Sequence, residues 1–258
     1  KNYLKKRIIR IEPPYLMAVF LGIIYMHLRS FVPNTVDADL IPSFKNILLH
    51  IAYLVPFFED ARWLNGAFWT LAIEFQYYLL LILIFPLMIS KKITYRIVFY
   101  TVLLIPGILF DSSEFFPHWA SLFLIGILYI LKKTNKISLV EYIMMSIISL
   151  SIIYSFLNFE TMLAVIFTLA VIHYLPNFKL KGFQFLGKIS YSLYLIHGLT
   201  GSALINILSH RYTEPYHKVI VVFAGLVFSV LAAYLMNLLV EKPSQKWAKS
   251  IGYNDQKG

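Results

Sequence analysis

Apolar runs about as long as a bilayer is thick recur along this chain, near 14–32, 68–90, 94–110, 115–131, 139–157, 160–176, 186–209 and 216–240. A helix needs about 20 predominantly apolar residues to cross the hydrocarbon core. No polar domain, linker, low-complexity tract or internal repeat separates the runs. The fold expected is therefore all-α: a polytopic transmembrane helix bundle with about eight spans, several of them short, forming one domain over 1–258. Composition supports this, because 59% of the residues are hydrophobic and only 14% charged, against roughly 45–50% apolar in soluble domains. The segment 47–58 (ILLHIAYLVPFF) is too short to cross and suits a re-entrant or interfacial helix, so it stays outside the count.

The charges in the loops alternate as the positive-inside bias requires. Lys1, Lys5, Lys6, Arg7 and Arg10 precede the first span; Lys91, Lys92 and Arg96 follow the second; Lys132, Lys133 and Lys136 follow the fourth; Lys179, Lys181 and Lys188 follow the sixth. The intervening loops carry Asp37, Asp39, Glu59 and Asp60, then Asp111 and Glu114, then Glu160, while Arg211, Glu214 and Lys218 nearly balance. Both ends are thus expected on the cytoplasmic side. The net charge of +10 belongs to this topology rather than to nucleic-acid binding, since the basic residues sit at the ends of apolar runs.

With no cysteine, thiolate nucleophiles, thiolate metal sites and disulfides are excluded. His27, His50, His118, His173, His210 and His217 show no paired metal-ligand spacing and no HExxH, so no metal site is expected. There is no GxGxxG, P-loop or GxSxG. Three places carry candidate chemistry. Arg7 and Arg10 in RIIR stand three apart, on one face of a helical stretch, and two planar guanidinium groups suit phosphate oxygens; topological anchoring explains the same residues equally simply. Glu74, in FWTLAIEFQYY, is an ionisable group inside a span, with Thr70 and Tyr77 or Tyr78 on its face; its alternative is a structural carboxylate bonded to a neighbouring helix. Ser190, Tyr194 and His197, in GKISYSLYLIHGLTG, share a face with His197 near mid-membrane, where it could shuttle protons or simply bond a neighbouring helix; Gly198 and Gly201 permit close packing.

Taken in order, KKRIIRIEPPY, NGAFWTLAIEFQYYL, KISYSLYLIHG and EKPSQKW resemble the motifs of the acyltransferase-3 family of membrane acyltransferases over nearly the whole chain. The resemblance implies transfer of an acyl group, commonly acetyl, from cytoplasmic acyl-CoA to exported cell-surface carbohydrate such as lipopolysaccharide, in the bacterial inner membrane, with no bound cofactor. It maps a donor-side RxxR onto Arg7 and Arg10, and a tryptophan-to-glutamate motif onto Trp69 and Glu74. Glu74 and His197 are the catalytic candidates, Tyr77, Tyr191, Tyr194 and Glu241 supporting ones. The family has about ten spans, the first carrying a basic residue and, eleven positions on, a histidine base. The chain starts at Lys1, before what corresponds to the third span, so the resemblance implies that two helices and this base precede it, and that the 258 residues alone are inactive. The rival readings are a transporter or flippase of lipid-linked sugars, which would show repeats and broken helices, and an inactive membrane scaffold.

Overall fold

The structure is a computed structural model that describes residues 2–31, 41–110, 112–175, 180–209, 211–212 and 214–252. Lys1, Asp37, Asp39, Asp111, Lys179 and His210 lie outside the described residues. Among those described there are helices and no strands: α1 (Asn2–Arg29), α2 (Phe44–Ile51), α3 (Phe68–Met88), α4 (Ile93–Leu109), α5 (Phe116–Lys133), α6 (Leu139–Phe156), α7 (Phe159–Tyr174), α8 (Lys181–His197), α9 (Ala203–Ser209), α10 (Pro215–Met236) and α11 (Lys242–Ser250). By length and composition five stretches are long and apolar enough to cross a membrane: Leu4–Arg29, Phe68–Met88, Leu139–Phe156, Gly182–Ser209 and Pro215–Ser250. Ile93–Leu109 and Phe159–Tyr174 are apolar but shorter.

Two compact units divide the chain, Lys1–Leu71 with Lys179–Gly258, and Ala72–Phe178. In the first, α1 packs on α8 and α11, and α8 packs on α10. Three differences from the sequence reading arise here, each with a backbone cause. First, α1 starts at Asn2, well ahead of the expected 14, and runs through both Pro13 and Pro14. Second, the 47–58 segment is not one helix. Ser43 caps α2 by accepting the Asn46 N–H at 3.2 Å, and a six-to-one, five-to-two pair closes it: Leu54 N to Leu49 O at 2.8 Å and Tyr53 N to His50 O at 3.0 Å. That closure needs a left-handed residue, usually glycine; here it is Tyr53, at φ 57°. Third, α10 continues through the π turn Asn237–Glu241 into α11 rather than closing at EKPSQKW. Likewise α8 passes through a π turn, Gly198–Ser202, into α9. Gly201 is needed there, because a Cβ on it would lie 2.6 Å from the Gly225 carbonyl oxygen of α10.

In the second unit the connections between α4, α5, α6 and α7 are short. Ser138 caps α6 through the Glu141 N–H at 3.1 Å, and Asn158 caps α7 through the Thr161 N–H at 2.6 Å. α5 turns Phe116, Ala120, Ser121, Leu124, Ile125, Leu128 and Leu131 inward at three- and four-residue spacing, against α4 and α6. No residue of α7 is buried, as expected of a helix whose apolar surface faces lipid.

Candidate functional site

The site in the first unit begins at a flaw built into α1. A proline has no N–H, so Pro13 and Pro14 cannot bond the carbonyls four residues back, those of Ile9 and Arg10. An unpaired carbonyl in apolar surroundings is costly, and the fold supplies a donor from far along the chain. Ser244, 4% exposed in α11, places its hydroxyl 2.6 Å from the Ile9 oxygen and 2.9 Å from the Arg10 oxygen, its single proton shared between them. One residue on, the Tyr191 hydroxyl of α8 donates to the Ile11 carbonyl at 2.9 Å. Arg7 and Arg10 thus stand one turn apart on a continuous helix, Arg7 half-buried and Arg10 exposed, with α11 and α8 fastened to the backbone beside them.

Beneath the prolines lies an aromatic and polar cluster. Tyr15, fully buried, stacks on Tyr53 with ring centroids 4.7 Å apart and donates to the His50 carbonyl at 2.9 Å. Tyr53 bonds the Glu12 carboxyl group, and burial together with the Glu12 charge holds its hydroxyl well above the usual tyrosine range, so it stays a donor. The left-handed backbone of a bulky residue costs on the order of 1–3 kcal/mol; the stacking and the Glu12 bond offset it. His50 is fully buried, with Nδ1 2.8 Å from the Asn46 carbonyl and Nε2 accepting the Leu64 N–H at 3.1 Å. Only a neutral imidazole protonated on Nδ1 satisfies both partners. Burial lowers its pKa below the usual 6.5, the Asn46 bond opposing. An unfolded chain therefore takes up this proton first, and the stability His50 contributes is complete above about pH 6.5 and is lost as pH falls from there toward the folded value. We expect the thermal midpoint in detergent to fall below about pH 6.5 and His50→Gln to flatten that slope; an unchanged slope would remove His50 as its cause.

The α8 candidates separate into two roles. Ser192, fully buried, donates to Glu241 Oε2 at 2.6 Å; Asn237 donates to the same oxygen at 2.9 Å and to the Lys188 carbonyl at 3.0 Å; Gln245 donates to Glu241 Oε1 at 2.8 Å. Glu241, 4% exposed, is therefore the hub that ties α8 to α10 and α11. On the opposite side Tyr194 donates to the Ala67 carbonyl at 3.0 Å and pairs with the Thr70 hydroxyl. Asn65 adds a bond from its amide to the Leu195 carbonyl at 2.8 Å. His197 is exposed, and its Nδ1 lies 2.9 Å from the Tyr194 carbonyl; a carbonyl can only accept, so the neutral ring carries its proton on Nδ1 and leaves the Nε2 lone pair open. A cavity of about 510 Å³ runs along this face, lined by Ser190, Tyr194, His197, Ser202 and Ser229 among apolar side chains. The expected shared face of Ser190, Tyr194 and His197 is thus a wall of one cavity.

Trp69 stands half-buried at the start of α3. In the second unit the Glu74 carboxylate receives the hydroxyl of Tyr78, four residues on. Of the two tyrosines left open by spacing, Tyr78 is the Glu74 partner; Tyr77 packs its ring on Phe116 and Phe123, with centroids 5.3 and 4.4 Å away. Gln76 accepts the Phe116 N–H at 2.8 Å, serving the first turn of α5. The sequence reading missed Glu12, Tyr53 and Ser244. The signal for Ser244 was present: two prolines inside a helix free two carbonyls, and a donor must answer them. Arg96 reads from sequence as a loop cation, whereas it is 7% exposed and forms a two-pronged ion pair with Glu141, Nε to Oε1 at 2.7 Å and Nη2 to Oε2 at 2.6 Å. Among the described residues no group of three His, Asp or Glu side chains is placed to hold a metal ion.

A family model described as an acyltransferase domain matches residues 1–238. No curated protein and no solved structure matches the chain.

Proposed function

Because the chain belongs to the acyltransferase-3 family, and so is a multi-pass membrane acyltransferase, we propose that its donor is a cytoplasmic acyl-CoA, the group transferred is acetyl, and the acceptor is a hydroxyl of an exported cell-surface polysaccharide or glycolipid. The observation that carries the donor assignment is the Arg7–Arg10 pair, one turn apart on a continuous helix whose carbonyls are held from outside. Paired guanidinium forks bond phosphate oxygens in bidentate fashion, and CoA is rich in phosphate. The positive-inside bias of the loop charges supports a cytoplasmic position for this end of α1 and for α11, and the family resemblance supports a bacterial inner membrane.

In the transfer, a general base takes the proton of the acceptor hydroxyl, its oxygen attacks the thioester carbonyl, and the C–S bond breaks to release CoA as thiolate, which is then protonated. His197 brings an open Nε2 to the cavity of α8 and α10 and is suited to accept from a hydroxyl. Glu74, steadied by Tyr78, orients a base or the acceptor. Tyr191 and Glu241 fasten the helices, and Trp69 opens the helix that carries Glu74.

The test is transfer of label from [acetyl-labelled] acetyl-CoA to glycan in membranes carrying the complete reading frame that contains this chain. Arg7→Ala/Arg10→Ala is expected to cut transfer about 10- to 100-fold, mostly through KM, since a hydrogen bond between charged groups contributes about 1.5–3 kcal/mol. Movement of a lipid-linked sugar across the bilayer with no label acquired would replace this reading with a transporter.

A further inference from the structure

The arginine pair of α1 sits on a backbone that cannot satisfy itself. Pro13 and Pro14 remove the N–H groups that would bond the carbonyls of Ile9 and Arg10, and a proline pair inside a helix leaves its local direction free to bend. The direction in which Arg7 and Arg10 point then depends on whatever holds those carbonyls. One side chain holds both: Ser244 Oγ, 2.6 Å from the Ile9 oxygen and 2.9 Å from the Arg10 oxygen. Ser244 is 4% exposed and is 234 residues distant from Arg10 in the chain. Its own helix is anchored in turn, because Gln245 and the preceding π turn are bonded to the buried Glu241, which Ser192 of α8 also reaches.

We propose that Ser244 is a positioning residue for the acyl-CoA donor: it fixes the proline-broken turn of α1 and so sets the aim of Arg7 and Arg10 at the donor's phosphates. The inference rests on the donor reading above and adds to it a residue outside that motif. Serine suits the task because its short hydroxyl can be shared between two oxygens, and threonine keeps that hydroxyl whereas alanine does not. The two prolines create the need. Alanines in their places would return an N–H to each carbonyl, and Ser244 would become dispensable.

The experiment measures KM for acetyl-CoA and kcat in membranes carrying the complete reading frame. Ser244→Ala is expected to raise KM about tenfold with kcat within about twofold of the native value, and Ser244→Thr to restore KM. In a Pro13→Ala/Pro14→Ala background, adding Ser244→Ala is expected to change KM no further, because the carbonyls already have donors. An unchanged KM in Ser244→Ala overturns the inference, as does an equal penalty in the two backgrounds. Should Ser244→Ala fail to accumulate in the membrane, the same substitution in the double-alanine background must restore its level; failure to do so also overturns it. Arg7→Ala/Arg10→Ala is measured beside these. If that variant leaves KM unchanged, the donor reading falls and the inference with it; if it raises KM while Ser244→Ala does not, the inference alone falls.

Discussion

Replacing Glu141 by alanine is expected to destabilise the second unit by about 3–5 kcal/mol, the cost of leaving one member of a buried ion pair without its partner. The side chains of Arg96 and Glu141 are 9% and 8% exposed and meet through two short bonds. Tyr100 adds a third to Glu141 Oε1 at 2.9 Å. Arg96 Nη1 also donates to the carbonyls of Ser90, at 2.6 Å, and Lys91, at 3.1 Å, so the same guanidinium closes the chain leaving α3. A guanidinium does not shed its charge when its partner is lost; it remains buried and uncompensated. Arg96→Met/Glu141→Leu removes both charges and is expected to recover most of the loss, since apolar replacement of a whole pair is often neutral. Thermal denaturation in detergent measures both. Equal loss in the single and double variants would show that the pair is not the coupled unit described.

Glu74→Gln is expected to cut acetyl transfer by at least about 100-fold, the scale of a lost acid–base or orienting group. The amide keeps the shape and an oxygen that accepts from Tyr78, so the helix retains its local bond while the negative charge disappears. Protein level in the membrane should therefore match the native one. Tyr78→Phe serves as the companion, removing the hydroxyl that steadies the carboxylate and leaving the charge; its expected effect is smaller, about tenfold. Native transfer in Glu74→Gln membranes would take Glu74 out of the mechanism and leave His197 as the candidate that remains.

The element list was largely legible from sequence because lipid imposes one rule, that backbone groups must be bonded internally, and long apolar runs meet it only as helices. The runs near 68–90, 94–110 and 139–157 correspond closely to α3, α4 and α6. The joint face of Ser190, Tyr194 and His197 followed from helical periodicity, a local property, and so was also legible. Where the sequence misled, distant partners overrode local preference. The first apolar run opens near 14, yet α1 begins at Asn2 and passes through Pro13 and Pro14, where Ser244 supplies the bond the prolines withhold. Tyr53 stands where a glycine is usual, because Tyr15 and Glu12 repay the strained turn.

By itself, then, the sequence determined an all-helical membrane bundle, the family motifs and the faces on which their residues lie, since these depend on composition, charge and spacing along one helix. The tertiary structure decided which of those residues are engaged in holding helices together and which keep a polar atom facing a cavity. Glu241 is consumed by three donors and Tyr191 by the α1 backbone, while His197 keeps its Nε2 lone pair at a cavity. Arg96, which reads as one more cytoplasmic charge, is committed to Glu141. The Ser192–Glu241, Tyr191–Ile11 and Arg96–Glu141 bonds join residues 49, 180 and 45 apart in the chain, and no local pattern encodes which of these donors will meet which acceptor once the helices pack.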